Sequence, residues 1–155
     1  MTFSERPAGT EPHLILLLQP LLAEFQDWIV DHSAHRLRPS QYRILGNVPE
    51  SEATTVTNLA ERAGMTKQGV GQLITALSDL GYLATEVDPN DRRVRLVRRT
   101  KQGNAAIGDF IAMTDALEAR WAERVGTHRY RQFRTVLAEL TAGHALAHLR
   151  FDGQS

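Results

Sequence analysis

The chain has 155 residues, with 18 lysines and arginines balanced by 18 aspartates and glutamates, and it contains no cysteine. That length suits one domain or one compact protomer with a real core, and the lack of cysteine excludes disulfides, thiolate zinc sites and thiol-based redox sensing. The longest apolar run, residues 14–18, is too short to cross a bilayer, and no signal peptide is evident. We therefore expect a cytoplasmic protein with no membrane partner.

The N-terminal part predicts a loose segment followed by a long helix. Residues 1–10 are expected to form a flexible tail, and residues 11–36 a helix that begins at Pro12, where proline is acceptable. Pro20 lacks an N–H donor, so it should kink this helix or divide it in two. Apolar positions recur at helical spacing: Leu14, Leu18, Leu21, Phe25, Trp28, Ile29 and His32. Because this stripe exceeds what a small domain can cover, it indicates a partner subunit.

The middle of the chain predicts three short helices. The first follows a connector at residues 33–38, begins at Pro39 and turns Tyr42 and Leu45 inward, although Arg38 is a weak N-cap. A polar loop at 47–54 leads to a helix that Thr55 caps and Gly64 ends, and Thr66 caps the next one. That helix shows apolar spacing up to Gly81: Val70, Leu73, Ile74, Leu77 and Leu80. Two helices joined by a tight glycine-containing turn are typical of a helix-turn-helix, whose second helix reaches base edges in DNA.

A basic hairpin follows. Asp88, Pro89 and Asn90 are turn formers, and the flanking residues 82–87 and 94–97 predict a two-stranded β-ribbon. Its tip and return strand carry six cations: Arg92, Arg93, Arg95, Arg98, Arg99 and Lys101. Although the whole chain is neutral, this concentration of cations predicts one face that binds a polyanion. Helix-turn-helix and basic ribbon together indicate a winged helix.

After the ribbon, the pattern predicts two more amphipathic helices. Thr100 caps the first and Gly126 ends it; its apolar face carries Ile107, Phe110, Ile111, Thr114, Leu117, Trp121 and Val125. Thr127 restarts the chain, and the second helix carries Tyr130, Phe133, Val136, Leu137 and Leu140. Such apolar faces on a soluble chain predict association with a second copy.

Several motifs resemble the MarR family of bacterial transcription regulators. They are Leu59-Ala60-Glu61, Gly64-Met65-Thr66-Lys67-Gln68, Leu77-Ser78-Asp79-Leu80-Gly81-Tyr82-Leu83, Asp88-Pro89-Asn90-Asp91-Arg92-Arg93 through Val97, and Thr100-Lys101-Gln102-Gly103. The resemblance spans residues 37–103. Three positions depart from the family pattern: Arg99 replaces a leucine, and Thr85 and Gln72 stand where many relatives carry arginine.

The resemblance implies a mainly α fold with a small β-hairpin wing, a winged helix-turn-helix plus a helical dimerisation region. Residues 11–36 would form the N-terminal dimerisation helix, 37–100 the DNA-binding domain and 101–155 the C-terminal dimerisation helices. It further implies a cytoplasmic homodimer that binds double-stranded DNA at a pseudo-palindromic operator, more as a ligand-responsive repressor than as an activator. A small aromatic effector would bind between the winged domain and the dimer helices, and we name Trp28, His32 and Tyr42 as its candidate lining.

The predicted DNA-binding residues lie on two elements. Thr66, Lys67, Gln68 and Gln72 occupy the first turns of the second motif helix, where glutamine can read adenine and lysine can meet guanine or phosphate. On the wing, Arg92 is the candidate for the minor groove and Arg95 for adjacent phosphate. The family resemblance suggests that Arg93 and Asp91 brace the wing against the recognition helix, so Arg93 can serve either role.

Other functions have weaker support in the sequence. His144 and His148 have a spacing that can bind zinc, but no third ligand lies nearby, so we expect neither a metal nor a cofactor. No set of nucleophile, base and oxyanion donors is evident, which argues against an enzyme. The alternative to DNA binding is a winged helix that docks an acidic protein partner through its basic ribbon.

Overall fold

The computed structural model describes residues 12–142. Within them the chain is mainly helical with a small antiparallel sheet, which confirms the predicted fold class. The helices are α1 (Leu14–His32), α2 (Pro39–Asn47), α3 (Val56–Ala63), α4 (Lys67–Asp79), α5 (Lys101–Val125) and α6 (Thr127–Thr141). The strands are β1 (Thr54–Thr55), β2 (Leu83–Val87) and β3 (Arg95–Arg99). The expected tail at residues 1–10, and His144 and His148, lie outside the described residues.

The helix ends follow the local chemistry that the sequence predicts. The hydroxyls of Thr55, Thr66 and Thr100 each accept a hydrogen bond, at 3.1 Å, from the backbone N–H three residues later. Each bond satisfies one of the donors that the first turn of a helix leaves unpaired. Gly64 ends α3 with φ at 60°, a left-handed conformation that glycine adopts without a steric cost. The predicted caps at these positions are confirmed.

The helix α1 differs in detail from its prediction. It begins at Leu14 instead of Pro12, and it runs through Pro20 as one helix. A proline in a helix interior removes only one backbone hydrogen bond and need not end the helix when the neighbouring turns continue. Of the two outcomes predicted at Pro20, a kink or a division, the division is not observed.

The sheet contains one strand more than the sequence predicts. The strand order is β1-β3-β2, and both pairings are antiparallel. Thr54 and Thr55 lie opposite Val97 and Leu96, so the end of the predicted polar loop adds a third strand beside the hairpin. A strand of two residues carries no periodicity that a sequence pattern can reveal. Its effect is to join the wing to the start of α3.

The core lies where α2, α3 and α4 meet the base of the sheet and the first half of α5. Its fully buried side chains include Ile44, Leu45, Leu59, Val70, Leu77 and Val97. Leu80, the last residue of the apolar pattern in α4, is instead 53% exposed, because the helix ends at Asp79.

Two helices carry apolar side chains that the described chain leaves uncovered. On α1, Leu14 is 61% exposed and Ile15 65%. On α6, Val136 is 53% exposed and Leu140 65%, and no residue of that helix is buried. The helix α1 joins the core near its C-terminus through the fully buried Ile29, whereas α6 contributes no buried residue.

Candidate nucleic-acid interface

Helix α4 presents a polar surface at its N-terminus and an apolar surface to the core. Thr66, Lys67, Gln68 and Gln72 are exposed. On the opposite side, Val70, Ile74 and Leu77 are buried and hold the helix against its neighbours. An exposed, polar first turn on a firmly packed helix is the arrangement by which a helix-turn-helix enters the major groove.

Hydrogen bonds within the wing loop, from its backbone and from two aspartate side chains, set the shape of the loop. The N–H of Asn90 donates to the carboxylate of Asp88 at 2.8 Å, and the N–H of Arg93 donates to that of Asp91 at 3.0 Å. Two backbone bonds of 2.9 Å close the loop, from Asp88 to the Val94 carbonyl and from Val94 to the Asp91 carbonyl. These local bonds shape a tip on which the side chain of Arg92 is exposed.

The arginines of the hairpin differ in what surrounds them. Arg92, Arg93 and Arg95 are exposed. Arg98 donates from Nε to the Glu86 carboxylate on β2 at 2.9 Å. Arg99 is half-buried; burial lowers its pKa, and the charge of Glu50 acts in the opposite direction. The cations most open to a polyanion are therefore those of the tip and of the first residue of β3.

The proposed brace between the wing and α4 stays a prediction. Arg93 and Asp91 are both exposed, and the Asp91 carboxylate accepts a local hydrogen bond from the Arg93 backbone N–H. Arg95, by contrast, lines a cavity of about 220 Å³ between α4 and the sheet, together with Thr75, Ser78 and Thr85. Within the wing, the residues nearest to α4 are therefore on the strands and not in the loop.

The root of the wing, where β2 begins and β3 ends, is hydrogen-bonded to the start of α5. The Thr100 hydroxyl donates to the Gly81 carbonyl at 2.6 Å, and the Thr100 N–H donates to the Tyr82 carbonyl at 3.1 Å. The same hydroxyl caps α5 at Gly103. A single threonine therefore sets where the hairpin leaves the domain and where the long helix begins.

The three candidate effector residues lie in two different environments. Trp28 stacks on His32 with ring centroids 3.6 Å apart, and its Nε1 donates to the Met113 carbonyl on α5 at 2.8 Å. Tyr42 is only 2% exposed, stacks on Phe110 at 4.4 Å and shares a 2.7 Å hydrogen bond with Ser33. Trp28 and His32 are thus together at the surface, whereas Tyr42 belongs to the core.

Another cavity, of about 320 Å³, lies between α1, α5 and α6. Its lining consists of Leu21, Trp121, Arg124, Val125, Arg129, Tyr130 and Phe133. None of the three candidate effector residues lines it or the cavity beside α4. Among residues 12–142 no group of histidine, aspartate and glutamate is arranged to hold a metal ion. No helix in that same range is long and apolar enough to span a membrane.

Sequence reasoning missed two polar contacts near the site. Glu86 neutralises Arg98 from the neighbouring strand, two positions along from the residue directly opposite. His35, in the connector between α1 and α2, contacts both Tyr82 and Asp109. The hairpin register would have revealed the first contact, since diagonal neighbours on one sheet face are within reach of long side chains. The second joins segments far apart in the chain, so no sequence spacing signals it.

The MarR family model matches residues 37–94, from the connector before α2 to the wing loop. Residues 37–94 are therefore similar to the MarR family, and the elements within them build a winged helix. The match supports a DNA-binding transcriptional regulator, and it covers α4 and the wing loop but ends before β3. No curated protein matches the chain.

Solved structures show that the MarR-like architecture extends beyond the matched segment. The reduced form of MarR from E. coli has a TM-score of 0.75 and 15% identity, over 85% of this chain and 98% of that one. The S. aureus MepR–DNA complex has a TM-score of 0.71 and 17% identity, over 84% and 97%. PcaV from Streptomyces coelicolor, in complex with its natural ligand, has a TM-score of 0.70 and 16% identity, over 88% and 99%. At these identities the likeness establishes the fold.

Proposed function

We propose that this protein is a homodimeric, ligand-responsive repressor that binds a pseudo-palindromic operator in the cytoplasm. One observation carries the DNA-binding part of the proposal. The exposed first turn of α4 and the arginine-tipped loop belong to one packed domain, so that a helix and a hairpin can engage the same duplex. Thr66, Lys67, Gln68 and Gln72 would enter the major groove, Arg92 the flanking minor groove, and Arg93 and Arg95 would lie near phosphates.

A dimer accounts for the apolar surface on the outer helices. The exposed side chains of α1 and α6, among them Leu14, Ile15, Val136 and Leu140, would be covered by the same helices of a second copy. Two-fold symmetry would then place two copies of α4 in successive major grooves, about 34 Å apart. The operator would accordingly contain two inverted half-sites.

The ligand-responsive part of the proposal has its support in the PcaV structure, which contains that protein's natural ligand. A ligand releases DNA only if it binds more tightly to a dimer whose recognition helices are wrongly spaced. Trp28 and His32 remain our candidates for contacting a small aromatic effector, because their stacked rings are at the surface beside α5. Tyr42 is the weakest of the three candidates, since its ring packs on Phe110 in the core and its hydroxyl is already hydrogen-bonded to Ser33.

A gel shift with the promoter region of the protein's own operon tests the proposal. Retention should survive an excess of unrelated competitor DNA, and size-exclusion chromatography should show a dimer. Arg92→Ala should weaken binding and flatten its salt dependence, whereas Arg131→Ala, which removes another exposed arginine, on α6, should leave the salt dependence unchanged. Loss of retention in competitor DNA, with binding to an acidic protein instead, would favour a protein-interaction module.

A further inference from the structure

We propose that His35 is a positioning residue that connects the root of the wing to helix α5, so that binding of the wing to DNA depends on it. The inference rests on the proposed DNA-binding function. His35 lies in the connector between α1 and α2, far from Tyr82 and Asp109 in the sequence. Its imidazole nevertheless contacts both, and so joins three separate segments.

The geometry of the bridge is specific on both sides of the ring. Nε2 of His35 is 2.9 Å from the Asp109 carboxylate, and Nδ1 is 3.1 Å from the Tyr82 hydroxyl. The ring also meets that of Tyr82 edge to face, with centroids 5.5 Å apart. The His35 side chain is 18% exposed and the Asp109 side chain 64%, so the bridge begins at the surface and ends in the core.

Tyr82 transmits this bridge to the wing. Tyr82 as a whole residue is 6% exposed, and the next residue, Leu83, begins β2. Its carbonyl accepts the N–H of Thr100, where β3 passes into α5. Both strands of the hairpin are therefore anchored beside this tyrosine. A small rotation at Tyr82 is amplified along the hairpin and displaces Arg92 at its tip.

The bridge persists in either protonation state of the imidazole. With a single proton on Nε2, His35 donates to Asp109 and accepts from the Tyr82 hydroxyl. With both nitrogens protonated, it donates to each oxygen, and its charge faces Asp109 on α5. We therefore infer a mechanical link and not a proton switch.

A double-mutant cycle on operator binding tests the link. Arg92→Ala should weaken binding about tenfold in the wild-type background and less than about threefold in a His35→Ala background, because a displaced wing no longer holds Arg92 at the groove. Tyr82→Phe keeps the ring and removes only the hydroxyl, so it should reproduce the His35→Ala result, and it replaces that variant if His35→Ala does not fold. His35→Gln, whose amide offers a donor and an acceptor, should restore most of the coupling.

The matched control is Glu24→Gln, which removes the charge from a different ion pair to α5, the 3.0 Å contact of Glu24 on α1 with Arg124. In this background Arg92→Ala should keep its full effect. Thermal unfolding of every variant separates lost stability from lost positioning. If Arg92→Ala weakens binding equally in the wild-type, His35→Ala and Tyr82→Phe backgrounds, the link is overturned while DNA binding stands. If the wild-type protein retains no operator DNA, the proposed function fails and the inference fails with it.

Discussion

The carbonyl oxygen of Tyr82 occupies the space that a β-carbon on residue 103 would need. Gly103 is buried in the first turn of α5, and this close approach lets the wing root lie directly on that helix. The same carbonyl accepts the Thr100 N–H. The residue at position 103 must therefore be glycine if the hairpin and the long helix are to keep their present relation.

Replacement of Gly103 should separate the wing root from α5. In Gly103→Ala the new methyl group would overlap a backbone oxygen, which cannot move away as a flexible side chain would, so we expect a loss of about 3 kcal/mol in the free energy of unfolding. Urea denaturation measures it. Gly108→Ala is the matched control in the same helix, because a β-carbon there meets nothing within 4 Å. It should stabilise the protein by about 0.5–1 kcal/mol, and an equal effect of both substitutions would contradict the steric explanation.

Removal of the Glu86 charge should strengthen DNA binding. This carboxylate pairs with Arg98 and also repels phosphate, so Glu86→Gln would free a cation and remove an anion on the wing. We expect operator and non-specific DNA to bind a few-fold more tightly at low salt, with a steeper salt dependence. Fluorescence anisotropy over a salt series measures both quantities. Glu123→Gln, an exposed position on α5, is the control and should change neither. Unchanged or weaker binding by Glu86→Gln would show that the wing strands lie away from the duplex.

The recognition helix and the wing should differ in how they affect sequence preference. Gln68 lies in the exposed first turn of α4, where a glutamine amide can pair with an adenine edge. Gln68→Ala should reduce the preference for the operator at one base-pair position by about 1–3 kcal/mol. Binding to a library of operator variants shows the change. Arg92→Ala serves as the comparison and should weaken binding to all variants alike. If Gln68→Ala instead weakens binding to all operator variants equally, Gln68 contacts phosphate and not a base.

The hydroxyl of Tyr130 should limit stability at high pH. Burial, and then the neighbouring Glu118 carboxylate, raise the pKa of Tyr130 from 10.0 to about 12. The folded state therefore favours the neutral phenol, and the stability gained from this preference is complete below pH 10 and is lost as the pH rises towards 12. Tyr130→Phe should flatten the fall of the unfolding free energy over that interval, while stability at neutral pH changes little.

A second variant separates the two causes of this pKa shift. Glu118→Gln removes the carboxylate charge and leaves the burial, so the Tyr130 pKa should fall only part of the way towards its ordinary value. Ultraviolet absorbance of the tyrosinate follows the titration. If Tyr130 in the wild-type protein titrates with the ordinary pKa of an exposed tyrosine, the result contradicts its burial where α6 packs on α5.

Much of the architecture is determined by short-range chemistry that the sequence displays. Thr55, Thr66 and Thr100 cap helices wherever they precede an apolar helical pattern, because the bond each makes involves a residue only three positions away. The wing turn is equally local, since Asp88 and Asp91 bond to the backbone two residues later. The exposed first turn of α4 and the exposed arginines of the wing tip follow directly from these elements.

Only the tertiary structure decides the contacts between distant segments. The pairing of Thr54 with Val97, the burial of Arg99 and the bridge from His35 to Tyr82 and Asp109 depend on which surfaces packing brings together. Tertiary packing also places Tyr42 in the core and Trp28 and His32 at the surface. In the sequence all three are aromatic residues on amphipathic helices, so nothing there distinguishes them. The sequence by itself thus determined the threonine-capped helix starts and the turn of the wing, because the hydrogen bonds that set them act within one turn. It did not determine the short strand β1 or the start of α1. The orientation of the wing on α5 required the fold, because it depends on contacts between residues that are tens of positions apart.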